Sequence, residues 1–217
     1  MNLVNAQEII NTFNLLNESK LNYILLRNID NELPSNLIVG KDIDILVHKK
    51  DEKEFMSFFN THKYQKIKHP HENNIFLYGV NKFQFIHNQS NSILFDLNFQ
   101  IAVRSLDAGQ WIPLDQMIQE SAWENRRFEK VNDKFGYWTL SYNDEFITLI
   151  ARSIFDKREF QQGYINRINE LYSNIDIDDV VEKLNMVFFK FTPYLLEMIK
   201  DKDFDNIINK YLTFKEY

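Results

Sequence analysis

The segment at positions 42–47, Asp-Ile-Asp-Ile-Leu-Val, constrains the fold more than any other part of the sequence. Apolar side chains alternate with two carboxylates, and this period of two predicts a β-strand that buries one face. Asp42 and Asp44 then project from the other face, about 6 to 7 Å apart along the backbone. Carboxylates at that spacing repel each other unless a cation lies between them. The strand therefore predicts a sheet and a candidate cation site together.

Helical and extended patterns alternate through the first half of the chain. Residues 6–19 carry apolar side chains at helical spacing, and residues 51–60 repeat that pattern after an aspartate at position 51 that can cap a helix. A loop containing proline, from position 28 to 39, ends at Gly40. Further strands are predicted at residues 22–26, 64–68, 74–78, 82–87 and 93–100, with a turn at 79–81.

The second half of the chain is dominated by helical patterns. Helices are predicted to begin at position 113 and to span 141–155, 160–172, 176–189, 193–200 and 204–211, with a small hairpin formed by 127–131 and 137–140. The sequence thus predicts an α+β protein, a mixed sheet flanked by helices and followed by a helical C-terminal part. We divide it into a core at residues 1–112 and a mostly helical part at 113–217, packed as one body.

A third carboxylate, Asp96, lies on the polar face of the strand predicted at 93–100. Acids on neighbouring strands can hold divalent ions that assist in-line transfer of a phosphorus-containing group, and one acid can receive the proton of the acceptor. Mg²⁺ and Mn²⁺ suit such oxygen ligands. The alternative interpretation is an exposed strand face with solvated acids. The Asp-x-Asp spacing alone does not separate the two.

The order helix, strand, loop, Gly40-Lys41-Asp42-Ile43-Asp44-Ile45-Leu46-Val47, helix and a later Leu94-Phe95-Asp96-Leu97 resembles the nucleotidyltransferase superfamily with the polymerase-β-type fold. The resemblance covers roughly the first hundred residues. It implies that Asp42 and Asp44 bind Mg²⁺ or Mn²⁺, and that Asp96 is the third ligand or the base. It also implies a small phosphate-bearing donor and a hydroxyl acceptor as partners.

One departure from the family pattern concerns the end of the first strand. The superfamily usually has Gly-Ser or Gly-Gly there to hold phosphates, whereas this chain has Arg27-Asn28, and Gly40 comes too late to replace them. Arg27 can bind a phosphate through two hydrogen bonds instead. The donor is therefore left open between a nucleoside triphosphate and another activated phosphate. The candidate residues for binding substrate and phosphate are Arg27, Gly40, Lys41, Lys157 and Arg158.

A looser resemblance rests on the stretch from Tyr23 to Asn28 and on Leu140-Ser141 leading to Ile154-Phe155-Asp156-Lys157. These residues are similar to uncharacterised nucleotidyltransferase-like proteins of bacterial surface-polysaccharide clusters. That resemblance implies transfer of a phosphate-bearing group onto a sugar or polyol. Two alternatives stay open: a non-catalytic or toxin/antitoxin-type module with the same fold, and a nucleotidyltransferase acting on an antibiotic or on tRNA.

Two groups of basic residues each allow a second interpretation. Arg152, Lys157 and Arg158 are surface charges paired with neighbouring acids. The alternative is that Lys157 or Arg158 neutralises a transferred phosphate, if the helical part covers the acidic strand face. The basic stretch at positions 63–71 is a solvated sheet edge rather than a ligand groove. Its pair His69 and His71 forms a metal site only if a third ligand lies nearby.

Composition excludes several classes of function. The 25 Lys and Arg residues against 31 Asp and Glu residues leave a net charge of −6, which disfavours duplex nucleic acid as a partner. The absence of cysteine removes thiolate zinc sites and cysteine nucleophiles. No apolar run approaches the roughly 20 residues of a membrane span, and the first residues do not resemble a signal peptide. We expect a cytoplasmic protein, and the oligomeric state is left open.

Overall fold

The computed structural model describes residues 2–70, 80, 82–87, 93–107 and 109–216. Seven strands of this part form one mixed sheet. They are β1 Tyr23–Leu25, β2 Asp42–Val47, β3 Tyr64–Ile67, β4 Lys82–His87, β5 Leu94–Asn98, β8 Arg127–Asn132 and β9 Phe135–Thr139. Their order in the sheet is β3-β4-β5-β2-β1-β9-β8. The short strands β6 Ala102–Arg104 and β7 Trp111–Pro113 form a separate antiparallel pair.

Eight α-helices lie in the described part of the chain. They are α1 Ala6–Ser19, α2 Glu52–Thr61, α3 Gln116–Glu124, α4 Tyr142–Arg152, α5 Gln162–Tyr172, α6 Ile177–Phe188, α7 Thr192–Lys200 and α8 Phe204–Thr213. Ser141 begins α4 by accepting a hydrogen bond from the backbone N–H of Asp144 at 3.1 Å. A turn of π-helix, Ser153–Lys157, continues α4 directly. None of the described helices is long and apolar enough to cross a membrane.

Strand β2 lies in the middle of the sheet. It pairs antiparallel with β1 on one side and parallel with β5 on the other. Strand β9 runs parallel to β1 and brings the β8–β9 hairpin into the same sheet. Five of the six residues of β2 are buried, which is typical of a strand covered on both faces.

The two faces of the sheet carry different cores. Ile43, Ile45 and Val47 belong to one core with the apolar residues of α1 and α2, including Phe13 and Phe59. On the opposite face, Ile24 and Leu46 pack with the apolar residues of α3 to α8. Because side chains alternate along a strand, the face of Leu46 is also the face of Asp42 and Asp44. The C-terminal helices therefore cover the acidic face of the sheet.

The predicted α+β class, with a mixed sheet flanked by helices, is confirmed. The predicted helices are found with shifts of a few residues at their ends, and the predicted hairpin is β8–β9. That hairpin extends the main sheet, so the sheet uses residues from both sides of position 112. The division into 1–112 and 113–217 stays a prediction. The sequence patterns did not reveal β6 and β7, which are only three residues long.

Asp51 does not have the local role that the sequence predicted. Asp51 precedes α2 as predicted, but its side chain does not cap that helix. The Asp51 Oδ2 atom instead accepts hydrogen bonds from the backbone N–H and the side-chain amide of Asn22, at 3.1 and 2.6 Å. This contact ties the start of α2 to the segment before β1. The strand predicted at 74–78 and the turn predicted at 79–81 fall on or across residues that lie outside the described part.

Candidate active site

The three acids singled out in the sequence converge on one point of the sheet. Asp44 of β2 and Asp96 of β5 are register partners on neighbouring parallel strands, and Asp42 lies two residues before Asp44 on the same face. One carboxylate oxygen from each residue lies within 4.8 Å of the others. The strand order thus supplies the proximity that the sequence could not establish. The catalytic and metal-binding roles of the three residues stay predictions.

The three carboxylates experience different electrostatic environments. Burial raises the pKa of Asp42, and the charges of Asp44 and Asp96 raise it further. Burial acts in the same direction on Asp44, but the cations Arg27, Arg152 and Lys82 outweigh it and lower the pKa of that carboxyl. Asp44 is therefore held as a charged carboxylate by basic groups, whereas Asp42 is destabilised in its charged form by its acidic neighbours.

Arg27 follows β1 and contacts Asp44 of the acid cluster. Its Nη2 atom donates a hydrogen bond to Oδ2 of Asp44, and the two side chains form a salt bridge. The exposed fraction of the Arg27 side chain is 18%, compared with 8% for Asp44. The guanidinium has five N–H donors, so a bond to Asp44 leaves others for an anionic ligand. Its predicted contact with phosphate stays a prediction.

His69 contacts the site although the sequence patterns placed it on a solvated edge. Strand β3 does lie at the edge of the sheet, but the His69 side chain beyond it is only 6% exposed. Its Nε2 atom lies 3.3 Å from Oδ2 of Asp96. The interpretation of His69 as a solvated residue was wrong, because its ring is buried against Asp96. Its proposed metal partner His71 lies outside the described residues.

The second oxygen of Asp96 supports a role in binding a cation. Asp96 is 6% exposed, and its Oδ1 atom has no hydrogen-bond partner among the described residues. A buried carboxylate oxygen without a partner is costly unless a ligand satisfies it. Together with the oxygens of Asp42 and Asp44, it forms a donor set of the kind that Mg²⁺ and Mn²⁺ prefer. The residues present therefore fit a divalent ion.

Two further cations complete the surroundings of Asp44. Lys82 of β4 lies with its Nζ atom 3.8 Å from the centre of the Trp111 ring, and burial lowers its pKa although Asp44 and Asp96 act in the opposite direction. Arg152, at the end of α4, donates from Nη1 to Asp156 at 2.9 Å and from Nε to Tyr164 at 3.0 Å. Only the fold shows that these two residues neighbour the acids.

A cavity of about 260 Å³ opens in front of Asp42 and Asp44. Arg27, Lys41 and Lys157, three of the residues that the sequence suggested for binding phosphate, line it, and that role stays a prediction. Lys41 also forms a salt bridge with Glu32. The residues that line the cavity are Arg27, Ile29, Asp30, Glu32, Lys41, Asp42, Asp44, Arg152, Lys157, Gln161, Gly163 and Tyr164. Four basic side chains, these three and Arg152, thus border a space that Asp42 and Asp44 also line.

The other two predicted phosphate-binding residues lie differently. Arg158 does not line this cavity, and its Nη2 atom donates to the backbone carbonyl of Leu106. Gly40 lies in the turn before β2 with a φ of +91°, a conformation that glycine adopts readily. Its contribution in the structure is to let the chain enter β2. Binding of phosphate by either residue stays a prediction.

A second, larger cavity of about 540 Å³ adjoins the first. Asp30 and Gly163 line both spaces, so the two cavities meet at the turn formed by residues 29–31. Its walls come from β8, β9, α4 and α5 and are mostly polar, with Asn28, Thr139 and Asn166 among them. The cleft therefore extends from the acids into the groove beneath the C-terminal helices.

No protein-family model matches the chain, and no curated protein matches it significantly. Among solved structures, the lincomycin-bound lincosamide antibiotic adenylyltransferase LnuA aligns with a TM-score of 0.45 and 12% identity, over 80% of this chain and 100% of that chain. The antibiotic-resistance factor ANT(2'')-Ia aligns with a TM-score of 0.47 and 12% identity, over 91% and 97%. The similar structures thus include an adenylyltransferase. The link to antibiotics that these names state belongs to those two proteins.

Proposed function

We propose that the chain is a metal-dependent transferase that moves a nucleotidyl or other phosphorus-containing group onto a small hydroxyl acceptor. The observation that supports this most directly is the convergence of Asp42, Asp44 and Asp96 within 4.8 Å beside a cavity lined by basic side chains. Such a transfer requires acidic side chains that bind cations and basic side chains that bind phosphates.

In the proposed mechanism, Asp42, Asp44 and Asp96 hold Mg²⁺ or Mn²⁺. Such an ion, when bound, would supply positive charge that stabilises the transfer of the phosphorus-containing group. Arg27, Lys41 and Lys157 bind the phosphates of the donor from the cavity wall and stabilise the charge that develops on them.

The reaction itself exchanges one phosphorus–oxygen bond for another. The acceptor hydroxyl oxygen attacks the phosphorus in line, and the bond to the leaving phosphate or pyrophosphate breaks. The proton of the attacking hydroxyl goes to a base, and Asp96 is that base where its buried Oδ1 atom, which has no hydrogen-bond partner among the residues that the structure describes, is not used as the third ligand of the ion. For a nucleoside triphosphate donor, the products are the nucleotidylated acceptor and pyrophosphate.

The acceptor that we propose is a sugar or polyol, in the biosynthesis of a surface polysaccharide. The polar cavity of about 540 Å³ has the size and the hydrogen-bonding side chains for such a molecule. It meets the cavity of about 260 Å³ in front of Asp42 and Asp44 at Asp30 and Gly163. Transfer to an antibiotic or to tRNA would depend on the same three aspartates. The acceptor assay below therefore includes these classes.

The test is a transfer assay with Mg²⁺ or Mn²⁺ and radiolabelled nucleoside triphosphates, labelled separately at the α and γ positions. The acceptors are sugars, polyols, a lincosamide, other antibiotics that carry hydroxyl groups, and tRNA. We expect metal-dependent transfer that is lost in both Asp42→Asn and Asp44→Asn. The matched control is Asp133→Asn, because the side chain of Asp133 is 95% exposed in the β8–β9 turn. Unchanged turnover in either site variant would refute the assignment of the acids.

A further inference from the structure

The basic residues near the acid cluster are distributed unevenly, and this bears on how many ions the cluster can bind. Three basic residues surround Asp44: Arg27 forms a salt bridge with it, and Lys82 and Arg152 line the same small cavity of about 40 Å³ on its inner side. This cavity also includes Asn98 and Asp156. A cation of the chain itself therefore already occupies one oxygen of Asp44.

The other two acids differ from Asp44 in this respect. Within the described part of the chain, no lysine or arginine forms a salt bridge with Asp42 or Asp96. Asp96 contacts His69 through one oxygen, and its other oxygen, Oδ1, is buried without a hydrogen-bond partner there. Asp42 lies nearer to solvent at the start of β2. The positions that remain for a ligand lie between Asp42, Asp96 and the remaining oxygen of Asp44.

We propose that Arg27 takes the place of a second cation on Asp44, so that the three acids of the unliganded protein hold a single divalent ion. This inference rests on the proposed function, since it assumes that the acids bind metal. It assigns to Arg27 a role as permanent counter-ion of the site in addition to any contact with a phosphate.

The physical argument is one of charge and space. Two-ion sites hold their ions about 3.5 to 4 Å apart, with a shared carboxylate that binds both. Here the guanidinium of Arg27 occupies an oxygen of Asp44, the central acid, which lies in register with Asp96. A second divalent ion at that oxygen would have to displace Arg27 and would lie near Arg152 and Lys82. Repulsion between such charges is large in a buried site, where water screens poorly.

The experiment measures how many Mn²⁺ ions the purified full-length protein binds, with no nucleotide present. Electron paramagnetic resonance of free Mn²⁺, combined with equilibrium dialysis, gives both the number of sites and their affinity. The variants are Arg27→Met, which removes the charge, and Arg27→Lys, which keeps it. The matched control is Arg126→Met, because Arg126 donates to Asn22 and lies over Trp138, outside both cavities that border the acids.

We expect one ion in the wild type, in Arg27→Lys and in Arg126→Met, and two ions in Arg27→Met. The first ion should bind Arg27→Met at least about tenfold more tightly, because one repelling charge is absent. Circular dichroism checks that each variant is folded, and Arg27→Lys tests the charge argument if Arg27→Met does not fold. Two ions in the wild type or in Arg27→Lys, or one ion in Arg27→Met, would overturn the inference.

The same titration separates this inference from the proposed function. A wild-type protein that binds two ions contradicts the role of Arg27 but leaves the metal-dependent transferase intact. A wild-type protein that binds no Mn²⁺ contradicts the proposed function itself. Loss of binding in Asp42→Asn, measured alongside, verifies that the ion detected in the wild type lies at the acids.

Discussion

Asp44 and Asp96 face each other as register partners across two parallel strands, β2 and β5. Asp44 is bonded to Arg27, whereas Asp96 contacts His69 and keeps one buried oxygen without a hydrogen-bond partner among the described residues. Two acids that occupy equivalent positions on adjacent strands thus have opposite surroundings. The predictions for the site follow from this difference.

Substitution of the two aspartates of β2 should have opposite effects on stability in the absence of metal. Asp42→Asn removes a carboxylate that is repelled by Asp44 and Asp96, and should raise the free energy of unfolding by on the order of 1 kcal/mol. Asp44→Asn deprives the half-buried guanidinium of Arg27 of its counter-ion and should lower the free energy of unfolding by about 2 kcal/mol. Denaturant unfolding in EDTA measures both values. Equal destabilisation by the two variants would contradict the described charge distribution.

His69 should act on the metal through Asp96, as a positioning residue. His69→Ala removes the contact with Asp96 Oδ2 and should weaken Mn²⁺ binding by about 10-fold or more, as loss of groups behind metal ligands generally does. His69→Gln retains a donor and should restore part of the affinity. The matched control is His62→Gln, whose Nδ1 atom lies 2.8 Å from the carbonyl of Phe58. An unchanged Mn²⁺ affinity in His69→Ala would exclude this role.

Gly163 should be intolerant of a larger side chain. A Cβ atom there would lie 2.6 Å from Oδ2 of Asp30 and 2.7 Å from Cγ2 of Ile29, on the turn that separates the two cavities. Gly163→Ala should displace this turn and lower the free energy of unfolding by about 1–3 kcal/mol. It should also raise KM for the acceptor, since the turn lines both cavities. Gln162→Ala, at the neighbouring exposed position, should change stability by less than about 0.5 kcal/mol.

A buried ion network joins α3, α4 and α6. Lys183 Nζ donates to Ser121 at 2.7 Å, to Asp179 at 2.7 Å and to the fully buried Asp144 at 3.1 Å. Lys183→Met leaves Asp144 without a counter-ion and should cost about 3–5 kcal/mol in chemical denaturation. Adding Asp144→Asn to that variant should recover part of the loss, a coupling that a double-mutant cycle measures. Lys210→Met, on the exposed side of α8, is the control.

Tyr64 should make stability depend on pH in the alkaline range. Burial raises its pKa to about 12, although the hydrogen bond with Thr12 acts in the opposite direction. Because the folded state holds this proton more tightly than the unfolded chain, its contribution is complete below pH 10 and is lost as pH rises towards 12. Unfolding of the wild type and of Tyr64→Phe, compared at several pH values, measures the effect. A difference between them that does not change over this range would contradict the shift.

Local pattern was sufficient for the elements that carry the acids. The alternation in β2 and β5 predicted both strands and the shared face of Asp42 and Asp44, because the period of two follows from strand geometry alone. The long helices were predicted because their apolar residues recur with the period of about 3.6 that helix geometry imposes. Strands of three residues, such as β6, carry too few positions for a period to be recognised, and the hairpin β8–β9 gave no sign that it would join the main sheet.

The sequence by itself determined that two carboxylates project from one face of a buried strand, since this depends only on their spacing. Only the tertiary structure decided which groups meet them. The order β4-β5-β2-β1 brings Lys82, Asp96 and Arg27 to Asp44 from positions far apart in the chain. Arg152, at the end of α4, lines the same small cavity as Asp44. Strand order and helix packing are set by the burial of the two cores as wholes, so no local pattern encodes these contacts.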